Sequence, residues 1–383
     1  MSGKHFVLAA GGTGGHMIPA HALAAELIKR GHRVALVTDA RGAKIPGLFD
    51  GVQTHIIPAG RITKNPLTWF GGVRAILAGR KMSLRLFEAF TPAAVIGFGG
   101  YPAFPVLIAA RKAKIRSAVH EQNAVLGRVN RMVAGFVTAM ALSYPRVERL
   151  ADKHRGKAWL VGNPVRAEII ALRAEPFPLL DEESVFRVLV VGGSQGASVL
   201  SQVVPDGLSL LPVALRRRLQ VTQQCRAEDI EAVRARYKEL GIAADLATYL
   251  NDLPSRLGWS HLVIARAGAS TLAELTCAGR PAILVPLPSA TDDHQTVNAV
   301  EMVEAGGARS IPQSHFTAKE LAKQMQRLGL DPEALTNAAG RARSVGRPNA
   351  TRDLADLVES LDRPVASQMV GAAPEFKLAG ASA

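Results

Sequence analysis

Residues 6–16 read Phe6-Val-Leu-Ala-Ala10-Gly11-Gly12-Thr13-Gly14-Gly15-His16. Five apolar residues cut off by a glycine-rich turn describe a buried strand that runs straight into a loop. Helical periodicity follows from about Ile18 to Arg30 and stops at Gly31, and Val34–Thr38 is the next apolar run. Strand, glycine turn, helix and strand in that order make a parallel βαβ unit. Ala93–Ile96, Ser117–His120, Val137–Ala141 and Ala158–Val161 extend the series. The second half begins the pattern again. Arg187–Val191 runs into Gly192-Gly193-Ser194-Gln195-Gly196. A long helix then reaches about Leu211, a basic helix covers Ala227–Leu240, and Leu262–Ala265 and Ala282–Val285 are further strands. Two such openings, about 180 residues apart, predict an α/β fold of two doubly wound parallel sheets. The seam is expected near Gly162-Asn163-Pro164.

A chain of 383 residues is long enough for two such domains. Hydrophobic residues make up 48% and charged residues 20%, which permits full cores and excludes wholesale disorder. The net charge of +14 is unevenly spread. Residues 1–162 hold 23 Lys and Arg against 7 Asp and Glu, a balance of +16; the remainder holds 23 against 25, a balance of −2. A basic half suggests an anionic partner: nucleic acid, a membrane surface or a phosphorylated substrate. Aromatic residues are only 5%, which weakens the single-strand nucleic-acid reading, because that mode stacks bases on rings. The two cysteines, Cys225 and Cys277, form no C-x-x-C pair, so neither a disulfide scaffold nor a zinc site is expected, and the usage fits a reducing cytoplasm. Phe6–Ala10 is too short for a signal-peptide core, and no run of about 18 apolar residues predicts a membrane span. Pro364–Ala383, rich in Ala, Gly, Ser and Pro, reads as a fraying tail.

Three glycine turns follow strands: Gly11–Gly15, Gly97-Phe98-Gly99-Gly100-Tyr101 and Gly192–Gly196. Glycines let a backbone approach a ligand closely, and the helix N-terminus that follows offers N–H groups to a phosphate. None has the P-loop spacing. The first is not quite the dinucleotide fingerprint, although Asp39 lies where a ribose ligand would. A structural tight turn is the alternative for each; together they suit a diphosphate donor and a diphosphate acceptor. His16 opens a helix, where the dipole disfavours a cation and favours a neutral imidazole able to accept a proton. His120-Glu121-Gln122-Asn123 sits at the carboxyl end of a parallel strand, where such folds bind ligands. There His120 and Gln122 face one way and Glu121 and Asn123 the other, to bind or to brace.

Arg266-Ala-Gly-Ala269-Ser270-Thr271-Leu272-Ala273-Glu274 follows another strand. Ser270 and Thr271 suit a helix cap or a phosphate. Glu274, three residues beyond Thr271, fits either a capping box or a carboxylate gripping paired sugar hydroxyls. Asp292-Asp293-His294-Gln295 with Asn298 opens a further helix. Its acids complement the helix N-terminus more readily than they hold a metal, and Gln295 and Asn298 share a face whose amides suit sugar hydroxyls. Between Ile62 and Phe90, residues such as Trp69, Phe70 and Leu77 mix with Lys64, Arg74, Arg80, Lys81 and Arg85. Apolar side chains ringed by cations describe a surface for an anionic bilayer, or an amphipathic helix packed on its own domain.

Taken together, Gly11–His16, Gly97–Tyr101, His120–Asn123, Gly162-Asn-Pro-Val-Arg166, Gly192–Ala197, Arg266–Glu274 and Asp292–Asn298 resemble the MurG family of glycosyltransferases. The likeness runs in order from Phe6 to about Leu361. That family moves N-acetylglucosamine (GlcNAc) from UDP-GlcNAc to lipid I, undecaprenyl-pyrophosphoryl-MurNAc-pentapeptide, giving lipid II in peptidoglycan synthesis. The resemblance implies GT-B architecture, two Rossmann-like domains facing a central cleft. Residues 1–162 would form the acceptor and membrane-facing domain and 163–345 the UDP-GlcNAc domain. A helix over 346–363 would cross back to the first, and 364–383 would be a flexible tail. It implies that Glu274 holds the ribose hydroxyls and that the Leu250 backbone meets the uracil. Ser194, Ala269, Ser270 and Thr271, with Leu272 and Ala273 beside them, would approach the diphosphate. Gln295 and Asn123 would reach the sugar, Arg166 would fall on a donor position, and Thr13, Gly14 and Gly15 would line the donor side of the cleft. His16 is the leading base and Glu121 the second. No cofactor and no metal are required. The implied partners are UDP-GlcNAc, lipid I, an anionic membrane surface at the cytoplasmic face of the inner membrane, and other cell-wall synthesis and division proteins, with no nucleic acid. Met17-Ile-Pro-Ala20 and Ala265 depart mildly from the usual pattern and remove no ligand side chain.

Overall fold

The computed structural model describes residues 3–361 except 13, 46, 59, 61–68, 182, 194–195 and 330. The chain divides into two compact units, Met1–Val165 with Asn349–Ala383, and Arg166–Pro348.

Among the described residues the first unit has seven parallel strands: β1 (His5–Ala9), β2 (Arg33–Thr38), β3 (Gln53–Ile56), β4 (Ala94–Gly97), β5 (Arg116–Glu121), β6 (Ala139–Leu142) and β7 (Ala158–Leu160). They lie in the order β3-β2-β1-β4-β5-β6-β7. Strands covered on both faces read as unbroken apolar runs, which is why β1, β2 and β4 are plain in the sequence. Edge strand β3 is not: Gln53, Thr54 and Ile56 are exposed, so no apolar run marks it. The helix Gly14–Lys29 buries Met17, Ala20, Leu23, Ala24 and Leu27, a spacing of three and four that lays one face on the sheet. The helix Ala350–Ser360 completes the same core, with Leu354, Ala355 and Val358 joining Phe6, Leu8, Leu23 and Leu27. Polar clasps hold it there. Arg30 Nη1 lies 2.8 Å from Glu359, and His32, which accepts the Lys4 amide at Nδ1, donates from Nε2 to the same carboxylate at 2.7 Å.

Among the described residues the second unit has six parallel strands: β8 (Phe186–Val191), β9 (Leu219–Gln224), β10 (Ala243–Ala247), β11 (Leu262–Ala265), β12 (Ala282–Leu284) and β13 (Ala308–Ser310). Their order is β10-β9-β8-β11-β12-β13. Of these, β9, β10 and β13 are not evident in the sequence. β9 reads Leu-Gln-Val-Thr-Gln-Gln, and its buried Gln223 and Thr222 break the apolar signal.

In each unit the winding direction reverses once, between β1 and β4 and between β8 and β11. At such a switch point the loops leaving the carboxyl ends diverge and open a crevice for a ligand. Gly11–Gly15 and Gly97–Tyr101 leave β1 and β4. Gly192–Gly196 and Arg266–Ser270 leave β8 and β11. These four of the segments singled out by sequence therefore stand at the two switch points, while His120–Asn123 closes the neighbouring strand β5 and Asp292–Asn298 follows the neighbouring strand β12.

Candidate active site

In the first unit the loops after β1 and β4 pack with no room for a side chain between them. A Cβ on Gly11 would lie 2.3 Å from Pro102 Cγ, and one on Gly100 2.8 Å from Gly11 O. His16 rests on this platform. Its Nδ1–H donates to Gly11 O at 3.1 Å, which assigns the lone pair of the neutral ring to Nε2. Nε2 and Cδ2 both lie 3.2 Å from where a Gly99 Cβ would sit, and Gly99 has φ +88. Only glycine meets both conditions without strain. The base candidate is thus a half-buried imidazole with its acceptor atom set by two glycine loops.

Asp39, a ribose ligand on one reading of the sequence, is committed to the loop instead. Its Oδ1 accepts from the Gly12 and Gly42 amides at 3.3 and 2.8 Å, and its Oδ2 from Arg41 Nη2 at 3.0 Å. Burial alone would raise this carboxyl, but the Gly42 amide, Arg41 and the Gly12 amide outweigh it and hold the group below its ordinary range.

His120 to Asn123 form a brace. His120 is fully buried against Phe98, ring centroids 5.5 Å apart. Its Nε2–H donates to Gly162 O at 2.9 Å, and its Nδ1 accepts from the Gln122 amide at 2.9 Å. Burial, with His16 nearby, pushes this imidazole down to about 4 although the Gly162 bond opposes the shift. Glu121 faces the other way. Its Oε1 accepts from the Asn123 backbone and side chain (3.1 and 3.3 Å), and its Oε2 from the Gly127 amide and Asn130 Nδ2 (2.7 and 2.8 Å). Four donors on one buried carboxylate make Glu121 a loop brace in this structure, with both oxygens engaged by Asn123, Gly127 and Asn130. Burial raises its pKa, and those same bonds oppose the rise. Asn130 escaped the sequence reading, because nothing in a short helix nine residues on announces a contact with Glu121.

In the second unit, Arg166 caps the short helix Ala167–Ala171 and reaches Glu274, Nη2 at 2.7 Å and Nε at 3.2 Å from Oε1. Glu274 is 7% exposed. Burial lifts its pKa above the ordinary value while Arg166 opposes the lift. The capping-box reading is excluded. The helix Ala269–Ala278 has Gly268 as its N-cap with no side-chain cap bond, and Glu274 lies well inside it. Ala269, Ser270, Thr271, Leu272 and Ala273 fill the turns ahead of Glu274. Among the described residues Ser270 Oγ is buried with no hydrogen-bond partner. A hydroxyl left so costs about 1–3 kcal/mol unless a ligand takes it up. Beside it, Asn298 Nδ2 donates to Ala267 O at 3.3 Å. Gln295 Oε1 accepts the Leu287 amide at 3.0 Å, so its amide orientation is fixed. Arg266 is also committed, donating to Val285 O, Pro286 O and Gln313 Oε1. Leu250 is buried just beyond β10. Gly14 and Gly15 form the first turn of the helix Gly14–Lys29. Thr13 and Ser194 lie outside the described residues.

The helix Trp69–Phe90 divides into two faces. Leu86, Phe87 and Phe90 are buried, whereas Phe70 is 81%, Val73 46% and Leu77 48% exposed. Arg74, Lys81 and Arg85 share the exposed face. The part of the stretch over residues 62–68 lies outside the described residues. Among the described residues no helix is long and apolar enough to cross a membrane.

Residues 6–142 match the glycosyltransferase family 28 N-terminal domain, and residues 187–358 the glycosyltransferase family 28 C-terminal domain. The chain is 63% identical over 357 residues to the UDP-N-acetylglucosamine–N-acetylmuramyl-(pentapeptide) pyrophosphoryl-undecaprenol N-acetylglucosamine transferase of Erythrobacter litoralis, covering 93% of this chain and 90% of that one. It is 64% identical over 357 residues to the protein of the same name from Novosphingobium aromaticivorans, covering 93% and 92%. Among solved structures, MurG of Acinetobacter baumannii superposes with a TM-score of 0.74 at 29% identity, over 93% of this chain and 99% of that one.

Proposed function

The chain belongs to the MurG family within glycosyltransferase family 28, and on that premise we propose that it transfers GlcNAc from UDP-GlcNAc to lipid I, giving lipid II. Relatives more than 60% identical over 93% of the chain carry the name of that transferase. The observation that carries the reading is the buried Glu274–Arg166 pair together with the Ser270 hydroxyl, which has no partner among the described residues, at the switch point of the second sheet. A buried carboxylate suits two ribose hydroxyls, and a helix N-terminus with a waiting hydroxyl suits a diphosphate.

The reaction is a single displacement with inversion. The 4-hydroxyl oxygen of the muramyl sugar bonds to the GlcNAc anomeric carbon as the bond to the UDP oxygen breaks, and the hydroxyl proton passes to Nε2 of His16. Positioned base catalysis of this kind contributes about 10²–10⁴-fold. Loop amides and the helix N-terminus at Ala269 receive the charge on departing UDP. The proposed reaction needs no cofactor and no obligatory metal.

The acceptor is lipid-linked, and the exposed face of the helix Trp69–Phe90 supports docking of the first unit on an anionic bilayer. We place the protein peripherally on the cytoplasmic face of the inner membrane. Labelled UDP-GlcNAc, incubated with and without a short-chain lipid I analogue and with and without EDTA, tests the whole reading. Label should move to lipid only with the analogue, and EDTA should leave the rate unchanged. Release of an epimerised sugar without any lipid product would sink the transferase reading.

A further inference from the structure

A cavity of about 430 Å³ opens at the amino end of β12 and β13, opposite the end of the sheet that carries Ser270 and Glu274. Its floor is Pro281, Ala282, Gly306 and Gly307, and three arginines from three elements line it: Arg309 of β13, Arg327 of the helix Ala318–Gly329 and Arg341 of the helix Pro332–Ser344. The glycine floor leaves room for the exposed Arg341 side chain. Gly306 has φ +81, and a Cβ there would stand 3.0 Å from Arg341 Nη1. Two carboxylates also line the cavity, yet neither neutralises the arginines. Asp331 accepts the Ala334 amide at 2.9 Å as a helix cap, and Glu333 follows it on the same helix. Among the described residues none of the three guanidinium groups has a carboxylate within 4.0 Å, whereas Arg30, Arg166, Arg236, Arg256 and Arg347 are all paired.

We propose that this cavity is a second ligand site, which binds a small soluble oxyanion carrying phosphate or carboxylate groups. Guanidinium groups give such an anion paired, directional donors. Three lining one concavity, none held by a carboxylate among the described residues and only Arg327 sharing its field with Glu320 of its own helix, leave positive charge for a ligand. The two carboxylates tilt the choice towards a ligand that also carries hydroxyl or ammonium groups.

Inorganic phosphate and citrate are the probes. Calorimetric titration of the full chain should give saturable one-site binding of at least one of them, and which one binds distinguishes a phosphate from a carboxylate ligand. The double variant Arg309→Gln/Arg341→Gln should weaken that binding at least tenfold while UDP affinity stays within twofold. Repeating the titration in saturating UDP should leave the isotherm unchanged. Absence of saturable binding of either probe, an identical isotherm in the double variant, or displacement of the anion by UDP would each overturn the inference.

Discussion

Arg166 places both Nη2 and Nε on one oxygen of the buried Glu274 carboxylate, Oε1, at 2.7 and 3.2 Å. That geometry leaves Oε2 to accept from a ligand hydroxyl. Glu274→Ala should therefore raise the UDP-GlcNAc KM by about 10–100-fold with a smaller change in kcat, since the lost contact is made equally in ground and transition states. A pH series adds a check. Burial raises the Glu274 pKa above 4.5, and only the ionised form can grip two hydroxyls. As pH falls through that raised value the site protonates, so donor KM should climb on the acid side before an ordinary glutamate would titrate. Steady-state kinetics on the wild type and Glu274→Gln would show it, the variant having a flat profile over the same range.

Gly99→Ala should damage catalysis through His16 rather than through substrate affinity. The new Cβ would stand 3.2 Å from the imidazole Nε2 on a backbone at φ +88. We expect kcat to fall at least tenfold with UDP binding unchanged. His16→Ala should fall further, by about 10²–10⁴-fold. Near-normal turnover in His16→Ala would remove it as the base.

Glu121→Gln separates brace from base. The substitution turns an acceptor of four N–H bonds towards donors it can only partly accept, so unfolding should ease by about 1–3 kcal/mol. Thermal denaturation reads this directly. A variant as stable as wild type yet inactive would return Glu121 to the list of bases.

His120 supplies an acid-side stability loss. Its unfolded pKa is near 6.5 and its folded pKa about 4. The unfolded chain takes up the proton first, so stability is full above about pH 6.5 and declines as pH falls towards 4, by about 3 kcal/mol at most. His261 in the second unit is also depressed to about 4 and adds its own share. His120→Gln should remove one share of the slope in urea titrations run from pH 7 to pH 4.5; an unchanged slope would show that His120 is not protected in the fold.

Phe70→Glu with Leu77→Glu should reduce sedimentation with vesicles containing anionic lipid by at least tenfold. Transfer to a detergent-soluble acceptor analogue should be untouched. Salt should weaken wild-type association, because Arg74, Lys81 and Arg85 act through a screened field.

The sequence carried the architecture wherever burial on both faces produced apolar runs, as in Phe6–Ala9, Arg187–Val191 and Leu262–Ala265. It was silent where strands are edges or carry buried amides, as in Gln53–Ile56 and Leu219–Gln224. The site was legible as loops but not as roles. Glu121, closing a strand, and His16, opening the helix after one, look alike as polar residues near the carboxyl ends of strands. Only three-dimensional donors such as Gly127 and Asn130 show that one is occupied, and the Gly11 carbonyl shows which nitrogen of the other is basic. Likewise, the cap reading of Glu274 fell on where the helix begins, at Gly268, and its partner Arg166 lies 108 residues away.

The helix Ala350–Ser360 seals the first unit, although the whole second unit lies between it and Val165. A ribosome working at about 5–20 residues per second needs roughly 10–40 s to cross that interval. During that time β1 to β7 have emerged, but Leu354 and Val358 have not, and Phe6, Leu23 and Leu27 lack their cover. The second unit, contiguous in the chain, can close first. The part made first is thus finished last, and until then its apolar seam is open to chaperones or to a premature partner.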